Sequence, residues 1–137
     1  MLEAYFNDLL QRSFIKRRLD LDDLSRVYLL QLMLENVSVT EFSSLFHLYQ
    51  NAILSPPSLY FDVYRRLGDT SLITGGLFPS PAVATSYYID MGTMAYRMAS
   101  NFAGSSAFRP IFKRLSGDFV YILDILNLVA QEIKLIT

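Results

Sequence analysis

Hydrophobic residues recur along most of the chain at the three-and-four spacing that gathers side chains on one side of an α-helix. Leu2, Tyr5, Phe6, Leu9, Leu10 and Phe14 share a face, with Asn7, Asp8, Gln11 and Arg12 opposite, which predicts a helix over 2–17. A second helix is expected after Asp20, whose carboxylate can accept the Asp23 amide, with Leu19 and Leu24 as the ends of a hydrophobic staple. From Tyr28 to Leu34 only Gln31 is polar, so this helix is either central or covered by another chain. The third helix has the clearest start, a capping box at Ser38-Val39-Thr40-Glu41 flanked by Val37 and Phe42. Its expected core face is Phe42, Leu45, Phe46, Tyr49, Ala52 and Ile53, with Ser43, Ser44, His47, Gln50 and Asn51 opposite.

Ser55-Pro56-Pro57-Ser58 ends that helix and opens the next, since proline is tolerated in a first turn. Tyr60, Val63, Tyr64 and Leu67 then form a core stripe, and Asp62 and Arg66 can pair for a few tenths of a kcal/mol. Gly68 is expected to end this helix as its left-handed C-terminal residue, with Asp69 capping a short turn that Gly75-Gly76 closes. Residues 83–102 predict a long helix with one polar stripe: Ser86, Asp90, Thr93, Arg97 and Ser100. Gly92, Ala95, Ala99 and Ala103 form a small-residue strip, and a mid-helix glycine costs about 1 kcal/mol that close packing can offset. After a loop at Gly104, one apolar phase runs through Phe108, Phe112, Leu115, Phe119, Ile122, Leu126, Val129 and Ile133. It predicts one long C-terminal helix, bent at Ser116-Gly117. The expected fold is an all-α, single-domain bundle of five to six helices spanning residues 1–137.

Several fragments carry a resemblance: Arg66-Leu67-Gly68-Asp69-Thr70-Ser71-Leu72, Gly76-Leu77-Phe78-Pro79, Tyr87-Tyr88-Ile89-Asp90-Met91-Gly92 and Ala95-Tyr96. Together they resemble the signature of an uncharacterised family of small helical bacterial proteins. In that family a leucine-glycine-aspartate turn leads to a tyrosine-tyrosine helix. The likeness is strongest over 64–99 and departs near Ser80-Pro81, where the family has a longer polar connection. It implies an all-helical fold and no particular activity.

Composition narrows the function. Apolar residues make up 52% of the chain and charged residues 18%, an apolar surplus over the usual ~45–50% and ~25% that excludes disorder and leaves apolar surface for a partner. A net charge of −1 argues against a nucleic-acid binder. The basic Lys16-Arg17-Arg18 is short, ends a helix and is followed by Asp20, Asp22 and Asp23, so it reads as helix-end complementation. Two twenty-residue runs lack Asp, Glu, Lys and Arg, 42–61 and 70–89. Each contains proline, and neither can span a bilayer as a satisfied helix. With no basic leader either, a cytoplasmic protein is expected.

Catalysis is poorly supplied. The absence of cysteine excludes disulfides and thiolate chemistry. The single histidine, His47, lies on the expected solvent side with no carboxylate to orient it. The acids do not follow a metal-loop spacing, and the glycines after Asp69 lack the lysine of a phosphate loop. The expectation is therefore a non-enzymatic interaction module without cofactor or metal, docking a protein partner or a second copy through the apolar faces of its second, fifth or last helix. The alternative is a small-molecule binder with a pocket between the Asp69–Phe78 turn and the Tyr87–Tyr96 helix. Tyr64, Arg66, Asp69, Phe78, Tyr88, Gly92 and Tyr96 are the candidate binding residues, with Arg66 and Asp69 as polar anchors.

Overall fold

A computed structural model describes residues 2–36, 44–104 and 107–136. Among them the chain forms seven α-helices and no strand: α1 (Leu2–Arg17), α2 (Asp23–Asn36), α3 (Leu45–Leu54), α4 (Tyr60–Leu77), α5 (Thr85–Phe102), α6 (Phe108–Gly117) and α7 (Phe119–Ile136). A single 3-10 turn, Pro57–Leu59, links α3 to α4. The all-helical expectation holds, with more helices than the five to six anticipated.

Helix ends explain several boundaries. At the end of α1, Leu19 N–H donates to Phe14 O (3.0 Å) and Arg18 N–H to Ile15 O (3.1 Å), the paired bonds of a Schellman motif. Its left-handed position is filled by Arg18, at φ 57°, where glycine is usual. The start of α2 is capped by Asp22, which accepts the Ser25 amide at 3.1 Å, and Asp20 does not serve as the cap. The expected capping box at 38–41 lies outside the described residues. Helix α3 begins only after Ser44, and its buried residues are Leu45, Leu48 and Ala52. Phe46 and Ile53 are instead exposed, because α3 is apolar over a wider arc than its contact with α4 can cover.

Helix α4 corrects the central expectation. It runs unbroken through Gly68, Asp69, Gly75 and Gly76 to Leu77, so there is no 70–74 turn and Asp69 caps nothing. The glycines provide space. A Cβ on Gly68 would lie 2.6 Å from Tyr96 Cδ1, one on Gly75 2.7 Å from Tyr88 Cβ, and one on Gly76 2.6 Å from Leu126 Cβ. On α5, a Gly92 Cβ would meet Phe119 Cζ at 2.1 Å. Each of these four glycines is thus the socket for a large side chain of a neighbouring helix. Packing of this density offsets the propensity penalty of an interior glycine.

The predicted long C-terminal helix is two helices, because the helical backbone breaks at Asp118. Asp118 O then accepts the Tyr121 and Ile122 amides at 3.0 and 2.9 Å, restarting the ladder. Helix α7 packs against α1, α4, α5 and α6 and buries Phe119, Ile122, Leu123, Ile125, Leu126, Leu128 and Val129. Its apolar excess is therefore spent inside the bundle. At the other pole of the core, fully buried Phe112 meets Tyr28 edge-on at 5.2 Å, Phe61 at 5.6 Å and Tyr96 at 5.7 Å, joining α2, α4, α5 and α6.

Candidate functional site

Two places hold the candidate residues, and they differ in chemistry. The first is a polar knot inside the bundle. Tyr28 Oη of α2 donates to Asp69 Oδ1 at 2.7 Å and lies 2.8 Å from Oδ2, while Tyr96 Oη of α5 donates to Oδ1 at 2.8 Å. Asp69 thus ties three helices together. Burial pushes its carboxyl up to about 6, against the lowering pull of the two tyrosine hydroxyls and the Arg65 charge, with Glu35 adding to the rise. Burial, and then the Asp69 charge, raise both tyrosines well above the phenol range, so they remain donors. None of the cavities described below is lined by Asp69. With Tyr96 fully enclosed and Asp69 and Tyr28 partly buried, these bonds fix the register of α2, α4 and α5 against one another.

The expected anchors separate accordingly. Arg66 points to solvent, and it is Arg65 whose charge acts on Asp69. No ion pair joins Asp62 and Arg66 among the described residues. Tyr64 is buried beside Tyr60, with ring centroids 5.9 Å apart. Gly92 lies under the Phe119 ring, and Tyr96 is fully enclosed. Tyr88 is buried over Gly75, and its hydroxyl accepts the Ser80 amide at 3.3 Å. Phe78 sits at the end of α4, about half exposed. Ser86, Asp90 and Arg97 do face outward, whereas Ser100 is buried and donates to Arg109 O at 3.1 Å.

The second place is on the surface. An open groove of about 700 Å³ lies between the start of α3, the end of α4 and the start of α5. Phe46, Thr74, Phe78, Val83, Tyr87 and Tyr88 contribute to its lining. Of the expected binding residues only Phe78 and Tyr88 reach it; Tyr64, Arg66, Asp69, Gly92 and Tyr96 do not. Among the described residues no charged side chain lines it. The reason is legible in the chain: residues 44–61 of one charge-free run are brought together with the other, 70–89, on this side of the fold. Continuing from the groove along α3, Phe46, Ile53 and Leu54 are 56%, 53% and 82% exposed, values that no core role explains.

Sequence reasoning missed Tyr28, which it counted into an apolar arc. A buried tyrosine hydroxyl needs a partner, but that partner is 41 residues away and on another helix. It also missed the outward turn of Phe46 and Ile53. Among the described residues no cluster of His, Asp or Glu could hold a metal ion, and no helix is long and apolar enough to cross a membrane. No family model, no curated protein and no solved structure matches the chain.

Proposed function

We propose that this protein is a non-enzymatic interaction module that associates with a second copy of itself through the charge-free face of α3 and the adjoining 78–87 segment. The observation that carries this reading is α3 itself: it has no Asp, Glu, Lys or Arg, and its outward side presents Phe46, Ile53 and Leu54 with His47, Gln50 and Asn51. A closed two-fold interface must be complementary to itself, so each charge on it would meet its own like or need an opposite nearby. A face without charges meets that condition. The apolar content of α2, α5 and α7, which first suggested docking, is largely taken up by the core, and the docking surface in this reading moves to α3.

Substitution of Phe46→Glu together with Ile53→Glu places two like charges on each copy at the centre of that surface. The double variant is expected to elute as a monomer where the unaltered chain elutes as a dimer, with an unchanged circular dichroism spectrum. Tyr121→Glu, on exposed α7 surface away from this face, leaves the dimer intact. If the Phe46/Ile53 variant remains associated, the face is not the interface.

A further inference from the structure

A different feature lies where α1, α2, α4 and α7 meet. The seam between α4 and α7 is so tight at Gly76 that a single methyl group would collide with Leu126. One turn further along α7, at Ala130, the same seam opens into a partly enclosed pocket of about 220 Å³. Phe6, Met33, Leu77, Phe78, Ala130 and Ile133 supply apolar walls, and Phe6 and Met33 are buried. The opening has a specific origin. Helix α7 places Leu or Ile at almost every inward position, yet alanine follows Leu126 in the same row, and the missing side chain leaves the space.

Among the described residues, one polar side chain reaches this pocket. Asn36 lines it, and its Nδ2 donates to Leu32 O at 2.7 Å within its own helix. That bond fixes the amide and leaves Oδ1 as an acceptor without a described partner. Water is a poor occupant, since it needs two to four polar partners and these walls offer one. Apolar cavities of roughly 150 Å³ hold a single aromatic ring, so this one accommodates a ring with a short substituent. Met33 adds a flexible wall that can adjust to the occupant.

We propose that this pocket binds a small uncharged molecule with an apolar single-ring body and one hydroxyl or N–H donor, its body among Met33, Leu77 and Ala130 and its donor on Asn36 Oδ1. The site shares Phe78 with the edge of the proposed interface, but its other walls come from α1, α2, α4 and α7. The test uses protein carrying ¹³C-methyl methionine, titrated with 4-methylphenol and, separately, with toluene. The expected result is a saturable shift of the Met33 methyl signal while Met91, Met94 and Met98 on α5 stay in place. Binding of 4-methylphenol should be at least about tenfold tighter than that of toluene. Ala130→Leu fills the space and is expected to abolish the shift without loss of thermal stability. Ala130→Val, a smaller change, weakens binding while leaving the helical fold undisturbed. An unmoved Met33 signal at the solubility limit overturns the proposal, as does undiminished binding by either Ala130 variant. Equal affinity for the two probes removes Asn36 from it.

Discussion

Two single residues hold conformations or charges that elementary chemistry disfavours. Arg18 occupies the left-handed position that ends α1, which costs a side-chain-bearing residue about 1–2 kcal/mol. Glycine at that position removes the clash but adds about 0.5–1 kcal/mol of unfolded-state entropy. Arg18→Gly is therefore expected to stabilise by roughly 0.5–1 kcal/mol, read as a higher urea midpoint at unchanged slope. Asp69 is the second. Its carboxyl stands at about 6 in the folded protein, against an ordinary 3.8. Between those values the folded state holds more protons than the unfolded one, so stability falls as pH rises through the window. The loss is on the order of 3 kcal/mol and is complete just above the folded value. Asp69→Asn cannot titrate and should flatten the pH 4–6 part of a stability–pH profile. A profile as steep as that of the unaltered chain would show that another group is responsible.

At the scale of the helix, much of the layout was legible and the exceptions have physical causes. The apolar periodicity marks α1 from Leu2 to Arg17 and places α5 within two residues of its start, because each carries its buried residues along one side. Gly68, Gly75 and Gly76 misled, since a glycine that ends a helix and one that seats a ring look the same in sequence. The distinction lies in Tyr96, Tyr88 and Leu126, contributed by other helices. Gly68, Asp69, Gly76, Tyr88, Gly92 and Tyr96 act together as a packing lock between α4, α5 and α7. Gly92→Ala tests the lock. Higher helix propensity favours alanine by about 1 kcal/mol. The Phe119 ring it would meet is almost fully buried and has little room to retreat, so overpacking of about 1–3 kcal/mol wins. Equilibrium denaturation is expected to show a net loss of up to about 2 kcal/mol. Adding Phe119→Leu should cost less in the Gly92→Ala background than alone, the signature of direct coupling.

Over the whole molecule, the apolar surplus read from composition divides into two parts. One part is internal: α7 is buried on most sides, and the aromatic rings around Phe112 fill the space between four helices. The other part is external and includes Phe46, Ile53, Leu54, Phe78 and Tyr87 of the two charge-free runs, beside Ile15, Leu24, Val27 and Tyr121 elsewhere on the surface. Sequence alone located both runs and excluded them as membrane spans, but their meeting on one side depends on α3 folding back onto α4, which periodicity does not encode. The polar knot at Asp69 was hidden for the same reason, since Tyr28 and Tyr96 come from helices far apart in the chain. A stable two-fold interface needs roughly 800 Å² from each partner, which the proposed association would draw from α3 and the 78–87 segment. Sedimentation equilibrium of the unaltered chain across micromolar concentrations measures this directly. The account predicts a reversible species of twice the 15.7 kDa chain mass, lost in the Phe46→Glu/Ile53→Glu variant. A single 15.7 kDa species at every concentration would contradict it.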